Sequence, residues 1–261
     1  MFGIFGKVAL VSGGASGIGL ATVEGLLQDG LKGVTIVDLN ETNGNQVVED
    51  LNQKYGDNKA LFCKANVSQR NEFEDAFKLT ISAFQNLDIV INCAGIIKDR
   101  NWEEEIAVNL TGTVTGSILA IENYLPSFKT GSEAVILNVS SLSGVYVYSG
   151  FPIYGTSKSG GLRLTQNLGT KLQYERSKVR VMALCPGLTD TPLIQLGATS
   201  FLHDDYKKIL AHEIGDYSMQ TVSFVSKATV QIIKEAENGS VWIIKDNKTP
   251  FEVEITHRQL L

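Results

Sequence analysis

The chain is poor in cysteine and histidine and lacks both a basic run and a long apolar run. Each shortage removes a class of function. Its three cysteines, Cys63, Cys93 and Cys185, form no C-x-x-C and lie at apolar strands or strand ends. That argues against a disulfide scaffold or a zinc knuckle, and for reduced core thiols in an intracellular, cytoplasmic protein. His203, His212 and His257 have no paired ligand spacing, so no metal site is expected. With 23 basic and 28 acidic residues the net charge is −5, and no basic cluster offers a surface to nucleic acid or anionic membrane. No apolar stretch approaches the ~18 residues of a membrane span. The first eleven residues carry one lysine and run straight into a strand, without the pattern of a secretory leader.

What is present suits a large buried core: 43% of the 261 residues are hydrophobic and 20% charged. Residues 7–11 are mostly apolar and end in Ser12-Gly13-Gly14-Ala15-Ser16-Gly17-Ile18-Gly19. A helical pattern follows, with Leu20, Val23, Leu26 and Leu27 on one face, and then a second strand, 33–37, ending at Asp38. Strand, glycine turn, helix and strand make a βαβ unit, whose right-handed crossover sets the two strands parallel. The glycines are spaced G-x-x-x-G-x-G. Gly13 permits a tight turn, Gly17 lets the backbone around Ser16 and Ile18 approach a pyrophosphate, and Gly19 lets the helix pack close. Asp38 is placed to accept hydrogen bonds from an adenosine ribose and repels a 2′-phosphate. Because Leu39 rather than an arginine follows, NAD is expected over NADP.

The alternation continues with strands at 60–63, 87–91, 134–139, 179–184 and 241–244. Helices are expected over 42–55, 69–84, 103–124 (with Pro126 just beyond its end), 154–175 and 218–237. The stripe Phe73, Ala76, Phe77, Thr80 and Phe84 reads as core. Residues 188–217 read as irregular with one short helical piece. Seven strands alternating with six main helices describe an α/β chain with a doubly wound parallel sheet, a Rossmann fold, as a single domain over 1–261.

Tyr154 and Lys158 are four apart and share one helical face, which sets a phenol beside an ammonium. A positive neighbour favours the phenolate, and lowering a tyrosine from ~10 to ~7 takes about 4 kcal/mol of differential stabilisation. Ser141 stands thirteen positions upstream of Tyr154, at the end of the fifth strand. The glycine turn, Asp38, Asn66-Val67, the run from Asn92 to Gly95, Ser141, the Tyr154 helix and Pro186-Gly187 all lie at the carboxyl ends of strands, where such sheets bind ligands.

Ser-x12-Tyr-x3-Lys together with that glycine turn resembles the short-chain dehydrogenase/reductase family, over nearly the whole chain. Within it the chain is similar to the 15-hydroxyprostaglandin dehydrogenase and fruit-fly alcohol dehydrogenase branches, through Asn101-Trp102-Glu103, Ile106 to Asn109, and Asn238 to Trp242. The resemblance implies an NAD-dependent oxidoreductase that interconverts an alcohol and its ketone by hydride transfer. Tyr154 would be the general base, Lys158 would bind the nicotinamide ribose and lower the tyrosine's pKa, Ser141 would bind the substrate oxygen, and Asn109 would hold a relay water. Asn66 and Val67 would border the adenine, with asparagine replacing the usual aspartate. Asn92, Ala94 and Gly95 match the family's Asn-Asn-Ala-Gly, with Cys93 in place of its second asparagine. Pro186 and Gly187 would lie along the cofactor, and Thr189 and Thr191 would meet the carboxamide. Family members usually pair through the helices expected at 103–124 and 154–175, so a homodimer or homotetramer is expected.

The substrate wall is expected from Val145, Tyr146 and Phe151 and from a lid at 188–217 carrying Leu193, Ile194, Leu196, Phe201, Leu202 and Tyr206. Its apolar content points to a hydrophobic secondary alcohol or ketone. A non-catalytic NAD sensor is the alternative, and occupation of all four catalytic positions argues against it. A sugar-nucleotide epimerase, which also uses Tyr-x3-Lys, needs a larger C-terminal region than the roughly seventeen residues after Ile244.

Overall fold

A computed structural model describes residues 1–197, 200–215 and 218–254. Eight strands form one sheet: β1 (Val8–Ser12), β2 (Gly33–Asp38), β3 (Ala60–Lys64), β4 (Ile89–Asn92), β5 (Ala134–Val139), β6 (Val179–Pro186), β7 (Val241–Ile244) and β8 (Phe251–Glu252). The order is β3-β2-β1-β4-β5-β6-β7-β8, parallel except where β8 pairs antiparallel with β7. The strand order reverses between β1 and β4, where Ser12 is level with both Val37 and Asn92.

Side-chain alternation decides the layers. Ala9 and Val11 of β1, Ile89 and Ile91 of β4, and Val135 and Leu137 of β5 face one side, against α1 (Gly17–Gln28), α2 (Glu41–Tyr55) and α9 (Val222–Glu235). Val8, Leu10, Val90, Ala134 and Ile136 face the other, against α3 (Arg70–Phe84) and α4, a continuous helix over 102–128. Phe73, Ala76, Phe77, Thr80 and Phe84 are all buried, as the aromatic stripe implied. Beneath the sheet, buried Asp88 accepts from the N–H of Val8 at 3.0 Å, Asn86 Nδ2 at 2.7 Å, Lys7 Nζ at 3.1 Å and Thr130 Oγ1 at 2.7 Å. That network ties the entrances of β1 and β4 together.

The structure departs from the expected elements in four places. An eighth strand is present: Asp246 (φ 57°) and Asn247 (φ 52°) take left-handed backbone, turn the chain back, and pair Phe251 with Ile243. Two residues are too short for a periodic pattern. The helix expected at 103–124 runs on through Pro126, because the π segment Leu119–Tyr124 ends there and proline falls in the first turn of the piece Leu125–Phe128, where its missing N–H costs nothing. The helix expected at 154–175 is two: α5 (Pro152–Leu168) and α6 (Lys171–Ser177). They part at Gly169, where a Cβ would lie 2.4 Å from Gly239 Cα, and Thr170 caps α6 by accepting from the Gln173 N–H. Among the described residues of 188–217 there are two helices rather than one, α7 (Pro192–Gly197) and α8 (Asp204–Glu213). The side chain of Leu196, assigned above to the lid, and His257 lie outside the described residues. None of the described helices is long and apolar enough to cross a membrane.

Candidate active site

The carboxyl ends of the strands open into a cleft of about 620 Å³. Its floor is built where β1 meets β4. Ser12 Oγ accepts from the N–H groups of Cys93 and Ala94 at 3.2 and 3.3 Å, which locks the glycine turn to the strand end beside it. Gly13 has φ +65°, and a Cβ on it would lie 2.8 Å from Ala94 Cα. A Cβ on Gly19 would lie 2.1 Å from the Gly13 carbonyl oxygen, so α1 sits directly on the turn only because position 19 is glycine. Gly19 thus lies behind the cleft wall, while Gly13, Ser16, Gly17 and Ile18 line it.

At one end of the cleft, half-buried Asp38 accepts from the Ala15 N–H at 3.3 Å on one oxygen and from the Asn40 N–H at 3.1 Å on the other. A carboxylate oxygen holds two lone pairs, so each retains one toward the cleft. Leu39 is exposed beside it. Asn66 and Val67 line the same end: Asn66 Oδ1 accepts from Ser68, and Val67 packs over Gly112, where a Cβ would come within 2.7 Å of it. Ala94, Gly95, Pro186, Gly187, Thr189 and Thr191 also line the cleft. Thr189 donates to the Gly187 carbonyl at 2.8 Å and accepts from Gln220 Nε2 at 3.1 Å.

At the cleft centre Tyr154 and Lys158 project from α5, which opens with Pro152 at its first turn. Ser141 ends the chain segment leaving β5 and accepts from the Ser143 N–H at 3.1 Å. The Ser141 hydroxyl lies near the Tyr154 phenol and favours its ionised form. Lys158 Nζ lies 5.7 Å from the Tyr154 ring centroid and donates to the Val139 carbonyl at 3.1 Å. Burial pushes the phenol of Tyr154 above its ordinary value; the Ser141 hydroxyl opposes this, and Glu105 adds to it. Burial pushes the Lys158 ammonium down. The neighbouring charge was expected to bring the tyrosine down. Within the chain alone burial instead sets the direction for both groups, because the whole dyad lies out of water.

Two further residues assigned to the site, like Gly19, stand behind its wall. Asn109 lies in the π segment Ala107–Thr111 of α4, a distortion common at functional sites. Its Oδ1 accepts from the Ile96 N–H at 2.8 Å, and its Nδ2 donates to the Ile96 carbonyl at 2.9 Å and to Ser157 Oγ at 3.1 Å. It therefore braces the segment that carries Gly95. A Cβ on Gly95 would lie 3.1 Å from Lys158 Nζ and 3.3 Å from Asn109 Oδ1, so glycine leaves those groups room. Asn92 is buried; its Nδ2 donates to Asn138 Oδ1 at 2.8 Å and to Ser117 Oγ at 3.1 Å. It joins β4 to β5 and α4 rather than facing the cleft.

The other end of the cleft is apolar. Ile97, Phe151, Tyr154 and Phe201 form a buried cluster backed by Leu193, Ile194, Tyr206 and Leu210. The rings of Phe151 and Phe201 stack with centroids 4.7 Å apart and 4° between planes. Leu210, Ala211 and Ile214, with Lys207 at the mouth, line the cleft from one face of the α8 segment. That i, i+3, i+4, i+7 spacing is visible in the sequence, but it was not read as a helix facing the cleft. Val145, Tyr146 and Leu202, expected in the wall, do not line it. Glu213 holds the loop before α5, accepting from the N–H groups of Ser149 and Gly150 at 2.8 and 3.1 Å. Burial raises the Glu213 carboxyl's pKa, but those two bonds, the Ser149 hydroxyl and the nearby His212 together outweigh it and the net shift is downward.

A doubly wound parallel sheet with serine, tyrosine and lysine in a glycine-floored cleft is the architecture of a dehydrogenase-type α/β protein. The short chain dehydrogenase family matches residues 7–198, and the chain belongs to it. It is 31% identical over 247 residues to human 15-hydroxyprostaglandin dehydrogenase [NAD(+)], covering 93% of this chain and 92% of that one. It is 28% identical to alcohol dehydrogenase 1 of Ceratitis cosyra, covering 92% of each. Among solved structures, 3-ketoacyl-(acyl-carrier-protein) reductase from Brucella melitensis complexed with NADH superposes with a TM-score of 0.76 at 24% identity, over 93% of this chain and 98% of that one.

Proposed function

We propose that the chain is an NAD(H)-dependent alcohol dehydrogenase and carbonyl reductase that acts on a hydrophobic secondary alcohol or its ketone. One observation carries the reading: the Ser141–Tyr154 hydroxyl pair, with Lys158 beneath it, lies between an end of the cleft that carries a carboxylate and an end that is apolar. The cradle fits a dinucleotide. Asp38 keeps lone pairs for ribose hydroxyls, and Gly17, with φ +51° and a virtual Cβ only 3.2 Å from Thr191, leaves a slot for a pyrophosphate. Gly13, Ser16, Ile18, Asn66, Val67, Ala94, Gly95, Pro186, Gly187 and Thr189 line the same path. NAD⁺, when bound, accepts the hydride and brings a positive charge to the site. The chain does the rest. Ser141 holds the substrate oxygen, and Tyr154 Oη takes its proton. Lys158 stabilises the phenolate, and the Phe151–Phe201 wall orients the apolar body while excluding water. In ketone reduction Tyr154 returns the proton. The proton-transfer part of such catalysis contributes ~10²–10⁴-fold.

Residues 188–217 act as the lid of the single domain over 1–261, and the protein works in the cytoplasm as a homodimer or homotetramer. The supporting relatives are oxidoreductases by name, which favours an enzyme over a non-catalytic sensor. The test is a screen of secondary alcohols with NAD⁺, ordered by size and polarity. Turnover is expected to favour bulky apolar alcohols, and Phe201→Ala is expected to erase that preference at about 1 kcal/mol for the lost stack. No turnover across a broad panel contradicts the reading.

A further inference from the structure

Three glutamates follow Trp102 at the start of α4, and only the third turns inward: Glu105 has no exposure, while Glu103 and Glu104 are exposed. Asp99, in the preceding turn, is equally buried. Both of its oxygens are used at the entrance to the helix that carries Tyr154: Oδ2 accepts from the Ile153 N–H and Oδ1 from the Tyr154 N–H, each at 3.1 Å. Pro152 has no N–H to offer, so these two bonds hold the first turn of α5. Glu105 Oε1 accepts from the Lys98 N–H at 2.9 Å, while Oε2 is buried and accepts from no donor. Asp99 acts on the Glu105 carboxyl by charge and by side-chain proximity, so the two buried carboxyl groups lie within reach of one another. The nearby ammonium groups are directed elsewhere, Lys98 Nζ to Glu104 and Lys158 Nζ to Val139. Two buried carboxyl groups this close cannot both be charged. Asp99 has two N–H donors to support its charge, so the proton belongs on Glu105 Oε2, pointing to Asp99.

We propose that Glu105 is a positioning residue for Tyr154: as the neutral acid it donates to the Asp99 carboxylate, and the pair fixes the first turn of α5. The kinetic consequence rests on Tyr154 being the base; the shared proton does not. Burial pushes Glu105 up to about 8, the Lys98 N–H opposes, and Asp99 adds to the rise. The charged and titratable groups facing it are Lys98 and Asp99 from the preceding turn and Tyr154 and Lys158 from α5. Above that pH a second charge stands against Asp99, and the Glu105 carboxylate adds to the burial that holds the phenol up. The folded state keeps a proton that the unfolded chain releases near the ordinary 4.5. Stability from this group is therefore present in full below about 4.5, falls as pH rises to about 8, and is level beyond.

The test compares wild type with Glu105→Gln, which supplies a donor that does not titrate, and Glu105→Leu, which supplies none. In urea unfolding from pH 5 to 9, the stability advantage of the glutamine variant over wild type is expected to widen to about pH 8 and then stay level. This needs no turnover and decides the shared proton even if Tyr154 proves not to be the base. A constant difference across that range, or a glutamine variant that fails to fold at pH 7, overturns the proposal. With an active substrate, the kcat ratio of glutamine variant to wild type is expected to rise severalfold from pH 7 to 9.5. The leucine variant is expected to lose at least fivefold in kcat at pH 7 with the Kd for NAD⁺ unchanged. A flat ratio, or a leucine variant equal to wild type, overturns the positioning role.

Discussion

Lys158 stands 5.7 Å from the Tyr154 ring centroid and donates to the Val139 carbonyl, not to the phenol. Its influence on the phenol is therefore through charge. Burial holds Tyr154 above its ordinary value; under the proposed mechanism the phenolate that would oxidise an alcohol is then scarce at neutral pH, and the phenol that would reduce a ketone is abundant. Alcohol oxidation is expected to speed up as pH rises and ketone reduction to slow. Lys158→Met is expected to push the onset of oxidation further alkaline by removing the ammonium that stands over that ring. PH profiles of kcat/KM in both directions check this, and an onset that moves toward acid in the methionine variant contradicts it.

Asp38 bridges the Ala15 and Asn40 N–H groups, so it both shapes the glycine turn and presents lone pairs to the cleft. NAD⁺ is expected to bind much more tightly than NADP⁺. Asp38→Asn is expected to weaken NAD⁺ by about 1–3 kcal/mol, the cost of exchanging a charged acceptor for a neutral one. Titration calorimetry with both cofactors measures it, and equal affinities in the wild type refute the role given to this carboxylate.

Glu213 ties α8 to the loop before α5, where Gly150 lies so close to α8 that a Cβ would come 2.4 Å from Leu210 Cβ. Glu213→Ala is expected to raise KM for a bulky alcohol severalfold with the Kd for NAD⁺ unchanged, because the contact shapes only the apolar end. Steady-state kinetics beside cofactor titration separate the two. A loss confined to cofactor binding contradicts the assignment of this end to substrate.

Asp88 lies at the opposite edge of the sheet with donors from Lys7, Val8, Asn86 and Thr130. Asp88→Ala strands the buried donors of Val8 and Asn86 and is expected to cost about 3 kcal/mol of stability with kcat unchanged under folded conditions. Chemical denaturation reads the first and turnover at low temperature the second.

Much of this was legible in the sequence because it is carried by local pattern. The apolar runs of β5 and β7 match the strands residue for residue, and the glycine turn, Asp38, Ser141, Tyr154 and Lys158 meet at one sheet edge. What was not legible depends on contacts between distant segments. Asn92 resembles a cleft residue by motif, yet Asn138 and Ser117 take its amide into the interior. Gly169 reads as a helix residue until Gly239 is packed against it. The run Glu103 to Glu105 reads as a solvated face, and only the fold reveals that its third member meets Asp99 in the dark interior. One helical piece was expected in 188–217 where two are found among the described residues, because α7 and α8 are each short.

The most direct measurement of the central claim is Tyr154→Phe, which removes one oxygen and keeps the ring that packs on Phe151 at 6.2 Å. NAD⁺ affinity by titration is expected to stay within a few-fold of wild type while kcat for a responsive secondary alcohol falls by ~10²–10⁴. Near-wild-type turnover in that variant would contradict Tyr154 as the proton acceptor and, with it, the mechanism assigned to this cleft.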